Sequence, residues 1–358
     1  MEYRMKLYNY GVFIGRFQPL HLGHEFLIKS ALDKVERLII LVGSSNCASD
    51  PRNPFSYSER LEMFDRAFKH EISTGKLLFK PLQDFPYSDT AWCSQVQNAV
   101  NETVLEHQND NGIVLHGLKD IKIALTGFGK DKTSYYLKLF PEWDNIQIDS
   151  QFGTFSSTDI RNQFFQNIPV IPQSVLSDGV AQWLDSYKMT DDFKKTLSEV
   201  EYLEDYPKHW GKGPFITADA VVIQAGHILL IERRNLPGRG LLALPGGFLD
   251  SHETIKTAAV RELKEETLIS DHKGELPPAM LESFIDDSKT RVFDYPNRSL
   301  RGRIITHAFL FHLPKRRDLF TVKGSDDACN AQWYRLGDLK PEYFFEDHWS
   351  IINLMADL

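Results

Sequence analysis

Cysteine is scarce in this 358-residue chain. There are three, Cys47, Cys93 and Cys329, odd in number and with no C-x-x-C pair. That scarcity excludes a disulfide framework and argues against a structural zinc site, so reduced thiols in a cytoplasmic protein are the expectation. Long hydrophobic runs are missing too. No segment approaches the roughly 20 apolar residues of a membrane-spanning helix, and the opening MEYRMKLYNYG has no apolar signal-peptide core. The third absence is an excess of positive charge: Lys and Arg total 41 against 49 Asp and Glu, a formal charge of −8. That argues against a non-specific nucleic-acid binder and leaves nucleotides open, because a few arginines or a bound cation hold a phosphate locally. The partners expected are therefore small molecules, with no nucleic acid and no membrane.

What is present is a globular composition, 42% hydrophobic and 25% charged, over a length that favours two domains. The first half alternates β-like and α-like patterns. Short apolar runs at 10–14 and 37–43 read as strands, and between them 24–35 reads as a helix with Phe26, Leu27, Ala31, Leu32 and Val35 on one side. Strand, helix, strand implies a parallel pair with a right-handed crossover. Helices over 58–70 (Leu61, Phe64 and Phe68 inward) and 91–107, with strands at 121–126 and 145–148, extend this to an open parallel α/β sheet. Ligands of such sheets sit beyond the carboxyl ends of the strands. After two prolines within 166–173, one more helix reaches about 187. The polar stretch 189–213 reads as a linker between a first domain, 1–188, and a second, 214–358. The second is richer in strands: a hairpin over 215–233 turning at 224–226, strands at 304–312 and 331–336, one strong helix, and a closing helix over 347–358.

Residues 15–24 read GRFQPLHLGH, following an apolar strand and opening a helix. Such a turn aims backbone N–H groups and the positive helix end at an anion. Gly15 permits close backbone approach, Arg16 supplies a forked cation, and His21 and His24 flank Gly23 at the helix entrance. Alone, H-x-x-H is weak, and capping histidines or a zinc pair would read the same way. Asn53-Pro54-Phe55 followed by Glu59-Arg60, and Ser156-Ser157-Thr158-Asp159-Ile160-Arg161, accompany it.

Together these three segments resemble the H-x-G-H, NPF-x-x-x-ER and S-S-T-x-x-R motifs of the nucleotidyltransferase superfamily, in particular nicotinamide mononucleotide (NMN) adenylyltransferases of the archaeal type. The resemblance covers about residues 8–187 and implies a Rossmann-like domain that joins NMN to ATP, giving NAD and pyrophosphate. It implies that Arg16, His21, His24 and Arg161 bear on the phosphates. Gly15, Phe17, Asn53, Gly127, Ser156, Ser157 and Thr158 would line the pocket, with Lys130 and Asp131 nearby, and Trp92 would stack on the nicotinamide ring.

In the second domain, residues 247–269 read GFLDSHETIKTAAVRELKEETLI, and Glu262, Glu265 and Glu266 at i, i+3 and i+4 crowd one helical face. A solvated acidic helix gives the same pattern, but the preceding Pro245-Gly246-Gly247 and Glu253 fit something more specific. The segment resembles the Nudix box, G-x5-E-x7-R-E-U-x-E-E-x-G-U with U bulky and aliphatic, at Gly247, Glu253, Arg261, Glu262, Leu263, Glu265, Glu266 and Ile269. Leu268 departs from it, standing where the family has the glycine that turns the helix exit. The resemblance implies an α/β/α domain with a mixed sheet, Glu262, Glu265 and Glu266 as ligands of Mg²⁺ or Mn²⁺, and Glu253 with Arg261 as an orienting salt bridge. Asp286, Asp287, Asp326 and Asp327 remain open as general base. The whole chain resembles bifunctional NMN adenylyltransferase/ADP-ribose pyrophosphatases. ADP-ribose is therefore the expected second substrate, Arg298 and Arg301 the expected phosphate contacts, and a homo-oligomer the expected assembly. Two alternatives stand beside this: a Nudix domain acting on another nucleoside diphosphate or serving only as a nucleotide sensor, and a transferase loading a different phosphate acceptor.

Overall fold

A computed structural model of the chain describes residues 6–110, 121–127, 136–148, 156–166, 175–325 and 328–357. It comprises two compact units, 1–197 and 198–358.

The first unit runs β1 (Tyr8–Gly15), α1 (Leu22–Leu32), β2 (Val35–Val42), α2 (Tyr57–Ser73), β3 (Leu77–Pro81), α3 (Asp89–Asp110), β4 (Ile123–Gly127), β5 (Asp144–Gln147), α4 (Ser157–Phe165) and α5 (Asp178–Tyr187). The strands form one parallel sheet in the order β3-β2-β1-β4-β5. Four consecutive residues of β1, Tyr10 to Phe13, are buried, as expected of a strand covered on both faces. Val12, Ile39, Leu41 and Leu125 of the sheet pack with Val96, Val100 and Val104 of α3 in one core cluster. Chain order reverses on either side of β1, so its carboxyl end is the topological switch point, where a crevice opens.

Two sequence expectations shift. Helix α1 stops at Leu32, and Val35 begins β2, because a buried β-branched residue pairs better in the sheet than in a last helical turn. The buried residues of α1 are Glu25, Ile28 and Ala31, not Phe26 and Leu27. In α2, Arg60 lies in the core beside Met63, Phe64 and Phe68, whereas Leu61 is only partly covered.

Helix α6 (Asp191–Trp210) occupies most of the stretch read as a linker, and the division between the units falls within it. The second unit continues with β6 (Phe215–Gln224), β7 (His227–Arg233), β8 (Leu242–Ala243), β9 (Gly246–Phe248), α7 (Ile255–Thr267), β10 (Ser270–Asp271), β11 (Gly274–Glu275), α8 (Pro278–Glu282), β12 (Ile285–Phe293), β13 (Ile304–His312), β14 (Ala328–Arg335) and α9 (His348–Met355). Its main sheet is mixed, β12-β13-β6-β7-β14, with β13 and β6 parallel; β8 pairs with β7 and β9 with β6. Ala225 and Gly226 close the β6–β7 hairpin with positive φ at both residues, the twist a two-residue hairpin turn requires. Ala258, Ala259 and Leu263 of α7 pack on Ala218, Ala220 and Val222 of β6. The small residues let the helix sit close to the strand that carries β9 and its glycines.

Leu268 ends α7 in the left-handed conformation, φ 41° and ψ 39°, and its N–H donates to the Lys264 carbonyl at 3.0 Å. The helix exit is therefore that of a glycine although the residue is leucine, at a cost of about 1 kcal/mol. Leu268→Gly should accordingly be more stable than Leu268→Ala by about 1 kcal/mol, since both lose the side chain and only glycine relieves the strain. Chemical denaturation of the two variants measures this, and the opposite order would show that the exit is not left-handed.

Candidate active sites

The first site grows from the end of β1. Phe17 has a positive φ of 52° and is 1% exposed. Its ring packs on Phe64 and His24 at 5.0 and 4.9 Å between centroids. It also lies over Gly15, where a Cβ would come within 2.8 Å of Phe17 Cζ. The ring expected in the pocket is instead an anchor beneath the loop, and Gly15 is the residue that leaves room for it.

Gln18 holds the loop to the NPF segment by a reciprocal pair: its Nε2 donates to the Phe55 carbonyl at 2.8 Å, and Phe55 N donates to its Oε1 at 3.0 Å. Arg60, 1% exposed, donates to the carbonyls of Arg16 at 2.7 Å, Gly43 at 2.6 Å, Ser44 at 3.2 Å and Ser56 at 3.2 Å. It ties the ends of β1 and β2 to the start of α2, so its role is to shape the loops.

His21 caps α1, its Nδ1 accepting from Gly23 N at 3.1 Å. An accepting Nδ1 leaves the proton of the neutral ring on Nε2. The His21 and His24 rings stack at 3.8 Å. From the far side of the sheet order, α4 brings Arg161, whose Nη1 donates to the Gln18 carbonyl at 2.6 Å and Nη2 to Thr158 Oγ1 at 3.2 Å. Ser157 Oγ donates to the Pro19 carbonyl at 3.2 Å, and Ser156 forms a capping box with Asp159. These hydroxyls dock the N-terminus of α4 on the β1–α1 loop.

Burial and the neighbouring Arg16 and Arg52 push Arg161 down to about 10, against the pull of Asp50, so it stays charged at neutral pH. Arg16 donates to Asn53 Oδ1 at 3.5 Å. The cluster Arg16, Arg52 and Arg161 makes the crevice cationic. Arg52 was missed in the sequence because it lies between the recognised motifs. Trp92, in the first turn of α3, is half-buried, with its ring 6.1 Å from Tyr136 and 6.0 Å from Phe140. At Gly127 a Cβ would meet Leu137 Cδ2 at 2.9 Å. Lys130 and Asp131 lie outside the described residues.

The second site is a strand of glycines against a helix of carboxylates. A Cβ at Gly246 would lie 2.2 Å from Asp219 Oδ1, and one at Gly247 would lie 2.3 Å from Glu262 Oε1. Gly246 N donates to Glu266 Oε2 at 2.9 Å. Glu266 is 7% exposed. Burial, with Glu262 and Asp219 adding to it, pushes its carboxyl up to about 8 against the Gly246 hydrogen bond. Burial raises Glu262 as well. Arg261 donates to both oxygens of Glu253, at 2.7 and 3.0 Å. Its Nη1 reaches Glu262 Oε1 at 2.7 Å and Glu265 Oε2 at 3.0 Å.

Arg298, expected at a phosphate, lies inside the protein. It clasps Asp347 with two bonds of 2.9 and 2.7 Å and donates to Thr306 Oγ1 at 2.8 Å. Arg301 donates to Glu346 Oε2 at 3.3 Å and lies over the rings of Phe345 and Phe248 at 5.4 and 5.8 Å. Of the candidate bases, Asp287 pairs with Lys256 at 2.8 Å, and Asp286 accepts from Ser288 N and Oγ. Asp326 and Asp327 lie outside the described residues. Asp219, Arg233, Glu346 and His348 complete the cluster and were not foreseen. They come from β6, β7 and the α9 entrance, and no local motif links them. Burial lifts Asp219 to about 7, with Arg298 opposing. Burial also holds His348 neutral, and its Nδ1 accepts from Leu244 N at 3.0 Å.

Family models match in two places: a cytidylyltransferase-like model over residues 12–163 and a NUDIX domain model over 213–355. A nicotinamide/nicotinic acid mononucleotide adenylyltransferase of Acinetobacter baylyi is 32% identical over 53% of this chain and 93% of its own length. An ADP-ribose pyrophosphatase of Methanocaldococcus jannaschii is 35% identical over 39% of this chain and 72% of its own. Among solved structures, a bifunctional NMN adenylyltransferase/ADP-ribose pyrophosphatase of Francisella tularensis, complexed with AMP and a manganese ion, matches with a TM-score of 0.85. It is 33% identical, covering 98% of this chain and 99% of that one. The chain belongs to this bifunctional family.

The Francisella tularensis structure holds a manganese ion, and the donor set of the Nudix unit here fits a divalent cation. Among the described residues no three acidic, histidine or cysteine side chains are already gathered around one point. Arg261 sits as the local cation between Glu262 and Glu265. Buried Glu266 and partly buried Glu262, both with raised pKa values, beside exposed Glu265 are a hard-oxygen cluster short of positive charge, the situation a divalent cation relieves. Among the described residues no helix is long and apolar enough to cross a membrane.

A pH-dependent stability follows. The Glu266 pKa of about 8 lies above the ordinary 4.5. Its contribution to metal-free stability is therefore complete below about 4.5 and is lost as pH rises through about 8. Adding a divalent cation should consequently raise the melting temperature of the Nudix unit more at pH 8 than at pH 6. A thermal-shift series over pH measures this, and a metal effect that shrinks from pH 6 to pH 8 would contradict it.

Proposed function

We propose that the first unit transfers the adenylyl group of ATP to NMN and that the second hydrolyses ADP-ribose to AMP and ribose 5-phosphate. The observation that carries the reading is the opposite polarity of the two sites within one family scaffold. Three arginines converge at the strand–helix turn of the first unit, which suits a polyphosphate, and carboxylates of low exposure converge in the second, which suits a cation with a diphosphate.

In the first reaction a phosphate oxygen of NMN attacks the α-phosphorus of ATP, the bond to the β-phosphate breaks, and pyrophosphate leaves with its electrons. No covalent enzyme intermediate is needed, so positioning and charge neutralisation carry the catalysis. Arg16 and Arg161 hold phosphate oxygens, and the His21 Nε2–H donates to them from the α1 entrance. His24, stacked on His21 and seated on Phe17, shares that role. Ser156, Ser157 and Thr158 hold α4 in place so that Arg161 reaches the phosphates, and Asn53 orients Arg16. Half-buried Trp92 offers its ring to the nicotinamide.

In the second reaction water attacks a phosphorus of the diphosphate. A divalent cation held by Glu262, Glu265 and Glu266, Mg²⁺ in our reading and Mn²⁺ as the alternative, would neutralise the diphosphate and make water a better nucleophile. Glu253 locks Arg261, and Arg261 orients Glu262 and Glu265. Gly247 leaves the space in which Glu262 lies. Arg301 supplies positive charge to the diphosphate, while Arg298 acts at one remove by fixing Asp347 and the α9 entrance. The free thiols and the nucleotide substrates suit a cytoplasmic protein.

The test offers purified protein NMN with ATP, and separately ADP-ribose, each with Mg²⁺. His24→Ala should lower kcat/KM for NAD synthesis by about 100-fold or more and leave hydrolysis unchanged. Glu266→Gln should do the reverse. A parent that makes NAD but leaves ADP-ribose intact would favour the sensor alternative, and joint loss of both activities in a folded single variant would overturn the assignment of separate sites.

A further inference from the structure

The family model of the hydrolase begins at residue 213, yet the second compact unit begins at Ser198, within α6. Those extra residues are not a passive lead-in. Glu199 is 4% exposed, and its Oε1 accepts from Gly238 N at 2.9 Å. Gly238 has φ +75°, and a Cβ there would come within 2.3 Å of Phe345 Cδ2, so the loop backbone lies hard against that ring. Phe345 in turn carries two guanidinium groups, Arg233 at 4.0 Å and Arg301 at 5.4 Å. Arg233 Nε donates to the Pro237 carbonyl at 3.0 Å, in the same loop.

A second route leaves α6 about two turns later. Tyr206, 6% exposed, packs on Phe215 at 6.4 Å, Phe215 meets Phe248 at 5.7 Å, and Phe248 lies under Arg301. Phe248 is itself the residue after Gly247, and its carbonyl accepts from Arg261.

We propose that the α6 segment from Ser198 onward is a wall of the hydrolase site, in which Glu199 and Tyr206 are positioning residues that set Arg233 and Arg301 for the diphosphate of the substrate. The proposal rests on the hydrolase reading above and adds Arg233 to the groups that meet the diphosphate. The electrostatics agree with the contacts. Arg233 lies within reach of the charges of Arg301, Glu346, Glu266 and Tyr202, and the Tyr206 phenol within reach of Arg301 and Glu346. Two like charges stacked on one ring repel, and that arrangement persists because the loop holding Arg233 is fixed from outside the sheet. A dianionic diphosphate between them would remove the repulsion.

Steady-state hydrolysis of ADP-ribose by the full-length protein tests this. Glu199→Ala should raise KM about tenfold with kcat little changed, because it loosens binding groups and leaves the carboxylates in place. Glu199→Gln keeps an oxygen for Gly238 N and should return KM towards the parent value, a rescue that general weakening of the fold would not produce. The metal-induced thermal shift verifies that the Nudix unit is folded. Should Glu199→Ala unfold it, Tyr206→Leu, which removes the ring packed on Phe215, decides: a raised KM supports the proposal and an unchanged KM overturns it. A folded Glu199→Ala with parental KM also overturns it. A parent protein that leaves ADP-ribose intact overturns the hydrolase reading, and this proposal with it, whereas an active parent with indifferent variants overturns the proposal alone.

Discussion

Arg60 carries a full charge into the core of the first unit, and the shape of the transferase crevice depends on it. A guanidinium out of water is stable only if its donors find acceptors, and those of Arg60 find four backbone carbonyls, at Arg16, Gly43, Ser44 and Ser56. These carbonyls belong to the carboxyl ends of β1 and β2 and the entrance of α2. Satisfying one buried cation therefore fixes the spacing of three loops at the switch point of the sheet. Burial still lowers its pKa to about 10, which leaves it charged, so the clamp holds at any ordinary pH.

The second unit meets the same constraint with a different partner. Arg298 is buried against Asp347 and Thr306, joining β13 to the start of α9. It thereby fixes the segment that carries Phe345, Glu346 and His348. A buried ion pair contributes little net stability over an apolar substitute but strongly penalises any arrangement that separates it. In both units the cost of an unpaired charge enforces loop geometry, and the groups that would meet substrate stand on the loops so fixed.

Legibility of these sites in the sequence followed the same division. Short-range features could be read directly: the glycine and histidines of 15–24, the Glu253–Arg261 pair, and the three glutamates of α7 each lie within ten residues of sequence. Their contacts follow from helical spacing or from a loop closing on itself. The long β-branched and aromatic run of β13 marks its own bounds, Ile304–His312, and the alternation of β6 and β7 marks their hairpin to within a residue. Residues that act through tertiary contacts gave no such signal. Asp219 reads as one polar residue in an apolar strand, and only the pairing of β6 with β9 sets it against Gly246. Phe17 and Arg298 matched expected site positions, yet their side chains turn inward, a matter of φ at one residue and of a partner 49 positions away at the other. Glu199 lies in a stretch whose polar composition suggested a linker, because a helix that buries one carboxylate and a few aromatics needs few apolar positions.

The two sites differ in the sign of charge they must neutralise, and this makes them separable within one chain. The transferase crevice is cationic before anything binds, with burial and the nearby charges of Arg16 and Arg52 lowering the basicity of Arg161. In the proposed reaction phosphate supplies the opposite charge there. The hydrolase site is anionic before anything binds, with Glu262 and Glu266 raised by burial and Arg261 as the internal cation. In the proposed reaction a divalent cation supplies the opposite charge there, and the site would favour a diphosphate once that charge is added. Proton concentration and metal concentration therefore act on the second site much more than on the first, because a buried carboxylate titrates near neutrality and an arginine at about 10 does not. Two activities on the same class of nucleotide can thus respond to different conditions, since the difference is already fixed by which charges each fold buries.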